Sequence, residues 1–446
     1  MANITRKDRR NTLENFKLCV ELWKIIKRFF PKLIPLLKQG KDHRHQSYIT
    51  YKSYVLLFVR ILASVFRIAS MRQMSESLNS TVLINNIGKI LGMEDGLTEL
   101  PHWKTINDFL EGLPPTELEN IIPELANRLT RMRTFEKSRI RGKYWQILVD
   151  ATQLFTFEER HCEHCLTREH KDKAWNVVKV DYYHVVLEAK LVINENIVIS
   201  VATEFVENES PDVKKQDCER NAFHRLAEKL KKRFPRLPIC LGADSLYACG
   251  PVFDLCREYG WHYIIRFKDG SIPTVAKEFH ELKYIEINQA WTKKEGGVTK
   301  TYRYVTNIPY QTHSLNFAEY VQSDLKHPFV FLTDLAVSKR NCGQLVLDGR
   351  RRWKIENEGF NEQKNHGLGL EHMFSENYTA MKNHYFLIQI GHMIAQFLEA
   401  GLRRLTALAK MPTVTFFENL KESFRTETLT ETDLSTVNQL TQYRIS

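Results

Sequence analysis

The spacing of apolar residues changes near residue 145, and this change constrains the fold more than any other feature of the sequence. Up to about residue 140, apolar residues recur at helical spacing, as in "ENFKLCVELWKIIKRFF" and "SYVLLFVRILASVF". From "YWQILVDATQLF" onwards the apolar runs are short, rich in β-branched residues and bounded by turn residues, which indicates strands. The sequence therefore predicts a helical segment followed by a layered arrangement of strands and helices.

The order of the later patterns favours an α/β fold with a mixed sheet and flanking helices. Three strand patterns come first, and the helix pattern "KQDCERNAFHRLAEKLKKRF" follows them. Next come the buried strand "LPICLGADSLY", the helix "PVFDLCREYG" and the strand "WHYIIRF". We expect a helical, basic domain over residues 1–140, the first part of an α/β core over 141–269, a β-rich insertion over 270–340, a functional helix with C-terminal helices over 341–410, and a polar tail over 411–446.

The charge of the chain predicts a negatively charged partner. The formal net charge is +11, and residues 1–60 hold 14 Lys and Arg against 4 Asp and Glu. Such an excess at one end of a chain suggests binding to nucleic acid or to an anionic membrane. The alternative is a solvated basic helix face. Candidate phosphate contacts in this region are Arg9, Arg10, Lys27 and Arg28.

A membrane is the less favoured of these two partners. The apolar run after residue 53 is interrupted by Arg60 and Arg67, so it falls short of the ~18 uninterrupted residues of a membrane span. The charged start "MANITRKDRR" has no apolar stretch behind it, which argues against a secretory signal. The eight cysteines are scattered through a large chain, which fits a reducing compartment.

Two acids stand at the ends of apolar strands, where sites form in α/β sheets. Asp150 ends "QILVD", and Asp244 ends "ICLGAD". For a single such acid, capping of a turn or helix is an equally good explanation. Two in one sheet, together with an acid on a following helix, favour a site for a divalent cation that prefers oxygen ligands.

That following helix is predicted within "RRRWKIENEGFNEQKNHG". Arg352 and Glu356 are four residues apart and face the same side of a helix, and Lys364 lies two turns further on. One interpretation is that Glu356 binds a metal ion while Arg351, Arg352 and Lys364 contact phosphate. The alternative is an ordinary ion pair on a helix surface.

Three other acids compete for such a role. Glu358 and Glu362 share the predicted helix with Glu356 but face away from it at ~100° per residue, so we expect them to be solvated or near DNA. Glu204 ends the third strand and is a candidate accessory acid.

These motifs make the sequence similar to the DDE transposases of the insertion-sequence 4 superfamily. The residues that carry the resemblance are Asp150 in "ILVDAT", Asp244 in "LGADSLY" and Glu356 in "RRRWKIENEGF", over roughly residues 140–400. The family places an Arg, three residues and then the catalytic Glu, and Arg352 with Glu356 matches this spacing.

Two positions depart from the pattern of that family. It places a Tyr ahead of the Arg, separated from it by two residues, and a Lys beyond the Glu, separated from it by six. Gly349 and Gln363 occupy those positions here, and the Lys is displaced by one residue to Lys364. The chain therefore resembles a divergent branch of the superfamily.

The resemblance implies a ribonuclease-H-like core in which Asp150, Asp244 and Glu356 bind Mg²⁺ or Mn²⁺. It implies hydrolysis of DNA at transposon ends, followed by attack of the freed 3′-hydroxyl on target DNA in cut-and-paste transposition. It also implies double-stranded DNA as the partner, a homodimer on that DNA, and a location at the nucleoid in a prokaryotic cytoplasm. Two alternatives remain: a transposase-derived DNA-binding protein without catalysis, and a metal-dependent nuclease of the same fold.

The stretch "RHCEHCLTREH" suggests a second metal site. Cys162 and Cys165 have C-x-x-C spacing, and His161 and His170 are close in sequence. A structural Zn²⁺ site needs four such ligands. The alternative interpretation is a basic loop that carries free thiols.

Overall fold

Helices form the first part of the chain. The computed structural model describes residues 17–285, 289–403 and 408–436. Up to residue 130 the helices are α1 (Leu18–Phe29), α2 (Leu33–Gln39), α3 (Ser53–Val65), α4 (Met71–Ser77), α5 (Thr81–Leu91), α6 (Trp103–Gly112), α7 (Pro115–Glu119) and α8 (Ile121–Thr130). The strands begin at Trp145, where the apolar spacing changes.

Strands and helices alternate in the second part, so the mixed α/β fold is confirmed. The elements up to the predicted insertion are β1 (Trp145–Phe157), β2 (Leu166–Lys171), β3 (Val177–Val192), β4 (Val198–Val206), α9 (Glu219–Arg233), β5 (Ile239–Ala243), α10 (Gly250–Tyr259) and β6 (His262–Phe267). The remaining elements are α11 (Pro273–Ile285), β7 (Ala290–Glu295), β8 (Val298–Tyr310), β9 (His313–Gln322), β10 (Phe329–Thr333), α12 (Cys342–Arg350), a π-helical turn (Ile355–Asn361), α13 (Glu362–Asn365), α14 (Tyr378–Leu402), α15 (Thr413–Thr426) and α16 (Glu431–Thr436).

All ten strands of the described residues belong to one mixed sheet. Its order is β2-β3-β1-β5-β6-β10-β9-β8-β7, and β4 pairs with the C-terminal half of β3. Strands β1, β5 and β6 are parallel, whereas β3 is antiparallel to β1. Parallel strands run in the same direction, so the residues just beyond the paired stretches of β1, β5 and β6 come together at one edge of the parallel part of the sheet.

The long helix α14 connects the sheet to the N-terminal helices. It contacts α3, α6 and α7 as well as β4. The rings of Phe29 in α1 and Phe397 in α14 lie 4.8 Å apart between centroids. The N-terminal helices and the sheet therefore share one hydrophobic core, to which both sides contribute aromatic side chains.

Arg60 interrupts the apolar run of α3 because it makes polar contacts inside the protein. Its side chain is 1% exposed, donates from Nε to Nδ1 of His384 at 3.1 Å and from Nη1 to Oγ of Ser64 at 2.7 Å. In the part of the chain that the structure describes, no helix combines the length and the apolar character that crossing a bilayer requires.

The predicted β-rich insertion extends the central sheet instead of forming a separate layer. Strand β10 pairs with β6 on one side and with β9 on the other. Gly296 and Gly297, both with positive φ, form the turn between β7 and β8. The segment also contains α11, whose buried residues Val275, Ala276 and Phe279 follow helical spacing.

Residues 413–436, which lie in the predicted polar tail, form α15 and α16. The apolar residues of α15 follow helical spacing within a Thr-rich stretch, and Phe416, Phe417, Leu420 and Phe424 are buried. Helix α15 packs against α1 and α5. The domain limits given above remain a prediction.

Candidate active site

Asp150 and Asp244 lie side by side at one edge of the sheet. Strands β1 and β5 are parallel neighbours, and Leu148 is paired with Gly242 in their register. Each Asp comes two residues after its member of that pair. Both carboxylates therefore lie just beyond the stretch over which β1 and β5 pair, Asp244 after the end of β5 and Asp150 within β1, which continues to Phe157.

Asp244 and Glu356 both act electrostatically on the carboxyl group of Asp150. Burial raises the pKa of Asp150 to about 6, the Arg352 guanidinium lowers it, and the carboxylates of Asp244 and Glu356 raise it. The backbone N–H of Ala151 also donates to Asp150 Oδ1 at 3.1 Å. We call Asp150, Asp244 and Glu356 the carboxylate cluster; the first two come from the sheet and the third from a helical turn.

Arg352 pairs with Asp150. Its Nη1 lies 2.9 Å from Asp150 Oδ2, and the two side chains are 15% and 21% exposed. Oδ1 of Asp244 accepts a hydrogen bond from the backbone N–H of Leu246 at 2.8 Å. The capping role considered for a strand-end acid is thus realised at Asp244, and it engages one carboxylate oxygen.

Glu356 is exposed and lies in the π-helical turn Ile355–Asn361, within the stretch predicted as an ordinary helix. A π-turn accommodates one residue more than an α-helical turn. One extra residue is also the distance by which Lys364 departs from the pattern that the sequence resembles. Gln363 points into the core, where it is 0% exposed and hydrogen-bonded to Gln389. The side chain of Lys364 is partly exposed and pairs with Glu371.

The close packing of Gly349 explains why the expected Tyr is absent there. A Cβ on Gly349 would lie 2.5 Å from Cδ1 of Phe331, a distance that real Cβ atoms essentially never show. Helix α12 therefore approaches strand β10 so closely that no side chain fits at position 349.

A cleft beside the carboxylates contains cations that the sequence analysis did not identify. Its lining includes Arg266, Lys268 and Trp353, together with Asp244 and Arg352. Burial lowers the pKa of Arg266, and the charge of Arg352 lowers it further. Arg266 lies near the C-terminal end of β6, the third parallel strand. Sites in α/β sheets form at this edge, as expected for Asp150 and Asp244.

A fourth acid, Glu219, is close to the cluster. Burial raises its pKa, a hydrogen bond from Tyr247 lowers it, and the charges of Asp150 and Asp244 raise it. The Tyr247 hydroxyl donates to Glu219 Oε1 at 2.6 Å. Glu219 begins α9 and follows a long connection from β4, so strand patterns alone gave no signal for it.

The other predicted phosphate contacts lie at several places. Arg351 contacts Glu195 at 3.2 Å and Asp348 at 3.3 Å, and Lys364 contacts Glu371 at 2.8 Å. Lys27 and Arg28 are exposed on α1. Arg9 and Arg10 lie outside the described residues.

The competing acids are engaged by cations outside the cluster. Glu204 contacts Arg225 at 2.6 Å and Lys229 at 2.7 Å. Glu362 contacts Arg67 at 2.9 Å, and Glu358 contacts Lys354 at 3.3 Å. These pairs give the three acids structural partners within the fold.

A separate group of Cys and His side chains lies beyond the C-terminal end of β1. His161, Cys162, Cys165 and His184 each place one ligand atom within 4.8 Å of the others. His170, which the sequence suggested as a ligand, is not in this group. It is exposed on β2, and its Nε2 lies 2.7 Å from Oδ2 of Asp181 on β3.

A comparison with protein families identifies a related domain. A family model described as a transposase DDE domain matches residues 141–394. The matched range covers more than half of the chain and includes the three clustered carboxylates, Arg352 and the Cys and His group. A search of curated proteins gave no match.

Proposed function

This chain belongs to the transposase DDE domain family, and from this membership we propose that it cleaves and joins DNA as a transposase. The family is consistent with the ribonuclease-H-like arrangement of the mixed sheet, implies DNA as substrate and generally uses divalent metal ions. The proposal adds that the chain binds the terminal inverted repeats of an insertion sequence and moves it by a cut-and-paste route. We further propose that it belongs to the insertion-sequence 4 branch, because Arg352 and Glu356 keep that spacing.

The observation that carries the proposal is the electrostatic cluster of Asp150, Asp244 and Glu356. Their mutual repulsion in a partly buried site favours a cation, and carboxylate oxygens are the ligands that Mg²⁺ and Mn²⁺ prefer. The residues present thus fit the metal ions that the family uses. Such ions, when bound, supply activation of the attacking oxygen and stabilisation of the leaving oxygen in phosphoryl transfer.

Residues of the chain itself would position the DNA. In the proposal Arg352 holds the Asp150 carboxylate in place, while Arg266 and Lys268 contact the backbone phosphates that enter the cleft. Trp353 is 49% exposed beside them and offers a ring face on which a base can stack. We assign to Lys364, whose Nζ lies 2.8 Å from an oxygen of Glu371, a further contact with phosphate.

We assign the recognition of DNA outside the cleft to the basic N-terminal helices. Lys27 and Arg28 are exposed on α1, and Arg9 and Arg10 precede them in sequence. Joining two transposon ends requires two active sites, so the functional unit in this proposal is a homodimer on DNA.

The test is a cleavage assay on labelled DNA that carries the ends of the element, with Mg²⁺ or Mn²⁺. Wild type is compared with Asp150→Ala, Asp244→Ala and Glu356→Ala. Glu258→Ala is the matched control, because Glu258 is an exposed acid near the C-terminal end of α10, away from the carboxylate cluster.

We expect metal-dependent nicking and joining in the wild type and the control, and retained binding without nicking in the three variants. Binding without cleavage by the wild type would favour a DNA-binding protein that lacks catalysis. Cleavage at the ends without joining would favour a nuclease.

A further inference from the structure

We propose that His161, Cys162, Cys165 and His184 bind one structural zinc ion, which fastens the loop between β1 and β2 to strand β3. The site is separate from the carboxylate cluster and is independent of the proposed transposase activity. All four ligands come from the protein, so the site is closed and leaves no position for a substrate.

The distances within the group match tetrahedral zinc. Cys162 Sγ and Cys165 Sγ are 3.6 Å apart, and each lies 3.5 Å from Nε2 of His184. Zinc with Zn–S of about 2.3 Å and Zn–N of about 2.0 Å in tetrahedral geometry would give about 3.8 Å for S–S and about 3.5 Å for S–N. The two sulfurs are too far apart for a disulfide, which requires about 2.05 Å.

Three buried ring nitrogens of the two histidines have no hydrogen-bond partner. Both ring nitrogens of His161 are buried and lack a hydrogen-bond partner, and so does Nδ1 of His184. Burying an imidazole without a partner costs free energy, because it gives up hydrogen bonds to water. A metal ion bound to the two thiolates and to Nε2 of His184 would give one ring nitrogen of His161 the partner that it lacks.

His184 lies in β3 opposite an irregularity of β1. Gln153 and Thr156 of β1 pair with Val185 and Tyr183, so a β-bulge in β1 stands opposite His184. A bulge disrupts the ladder locally. His184 is 1% exposed and lies 19 residues beyond Cys165, outside the stretch "RHCEHCLTREH".

Contacts around the group hold the same loop in place. Asn208 Nδ2 donates to the backbone oxygen of Cys165 at 2.9 Å, and Nδ1 of His164 lies 2.9 Å from the backbone oxygen of Asn208. Tyr378 at the start of α14 stacks on His184 with 5.0 Å between ring centroids. A zinc ion here would therefore join the end of β1, strand β3 and the start of α14.

The ligand set selects the metal. Two thiolates and two imidazoles are typical of structural zinc, whereas Mg²⁺ and Mn²⁺ prefer oxygen ligands. The ion proposed here is thus chemically distinct from the ions expected at the carboxylates.

The first experiment measures the zinc content of the full chain, purified without a metal-binding tag, by inductively coupled plasma mass spectrometry. We expect about one zinc ion per chain. Removal with a chelator should lower the Tm, and returning Zn²⁺ alone should restore it. Replacement by Co²⁺ should give the visible absorption bands of tetrahedral cobalt with thiolate ligands.

Variants assign the ligands. Cys162→Ser, His161→Ala and His184→Ala should each lose the zinc or the cobalt spectrum. His170→Ala and Cys218→Ser are matched controls that should keep both. Asp150→Ala should also keep the zinc, which separates this site from the metal site of the proposed function.

A folded wild-type chain that contains no zinc and takes up none on titration would overturn the proposal. Full zinc content in the double variant Cys162→Ser/Cys165→Ser would overturn it as well. Should a variant fail to fold, the stoichiometry and the cobalt spectrum of the wild type still decide the question.

Discussion

Arg352 donates from Nη1 to Oδ2 of Asp150 at 2.9 Å, which joins the middle of β1 to the segment just before the π-helical turn. The pair is mostly buried, so solvent screens it less than a surface ion pair. The same guanidinium lines the cleft with Arg266 and Lys268. Arg352 is therefore placed to orient a carboxylate and to contact phosphate.

Arg352→Gln should lower metal-dependent nicking by about 10- to 100-fold, because a hydrogen bond to a charged group contributes about 1.5–3 kcal/mol. Arg352 lowers the pKa of Asp150. In the variant the pKa of Asp150 is therefore higher. On acidification, the Asp150 carboxylate is protonated, and activity is lost, at a higher pH than in the wild type. A pH profile of the nicking rate measures this shift. Arg257→Gln, which removes a solvent-exposed pair with Asp254, should leave the profile unchanged.

Asp150→Asn should stabilise the metal-free protein at neutral pH. Burial raises the pKa of Asp150 to about 6 in the folded state from 3.8. The folded state therefore binds the proton more tightly, and ionisation of Asp150 costs stability as the pH rises from about 4 to 6. We expect the variant to gain roughly 1–3 kcal/mol at pH 8 and almost nothing at pH 4. Urea denaturation at both pH values, without metal, measures the difference; equal gains at both would contradict the account.

Gly349→Ala should destabilise the protein by about 1–2 kcal/mol, because the new Cβ would lie 2.5 Å from the Phe331 ring. The double variant Gly349→Ala/Phe331→Leu should recover part of this loss. Gly270→Ala is the control, since a Cβ there meets nothing within 4 Å. Thermal melting of the four proteins measures the effect. Equal melting temperatures for Gly349→Ala and the wild type would show that α12 can move away from β10.

The sequence predicted the parts of the site that local patterns define. Asp150 and Asp244 each follow a buried strand, and parallel pairing of β1 with β5 brings them together. The mixed α/β fold follows from the same patterns. Glu219 could not be inferred in this way, because its position depends on how α9 packs against the sheet.

Two other features required the three-dimensional structure. The π-helical turn follows from how Ile355 and Phe360 pack in the core, and no residue type specifies it locally. His184 lies in a strand whose alternation gives no sign of a ligand, and only the folded chain brings it next to the two cysteines. His170 is nearer to the cysteines in sequence, but strand pairing holds it beside Asp181.

Lys190→Met should destabilise the protein by about 3–5 kcal/mol, because it leaves the acid of a buried pair without its cation. Lys190 and Glu188 are both 0% exposed, with Nζ and Oε2 3.8 Å apart. Burial lowers the pKa of Lys190 and raises that of Glu188, while each partner opposes the shift of the other. Urea denaturation measures the loss.

The double variant Glu188→Gln/Lys190→Met should recover part of that loss, because it leaves no unpaired charge and retains an acceptor for the surrounding hydroxyls. If the effects of the two single changes simply add in the double variant, the two groups do not act as a pair.

Lys190 also packs under the π-helical turn, since a Cβ on Gly359 would lie 3.2 Å from Cδ of Lys190.

The double variant Lys27→Ala/Arg28→Ala should weaken DNA binding and make it less dependent on salt. Both side chains are exposed on α1, and each phosphate contact adds about 0.9 to the slope of log K against log salt concentration. We expect the slope to fall by about 1.8 across all DNA sequences, because phosphate contacts carry no sequence information. Fluorescence anisotropy at several salt concentrations measures it. Lys232→Ala/Arg236→Ala removes the same charge from exposed positions at and beyond the end of α9, and an equal fall there would mean that net charge, rather than contact by α1, sets the affinity.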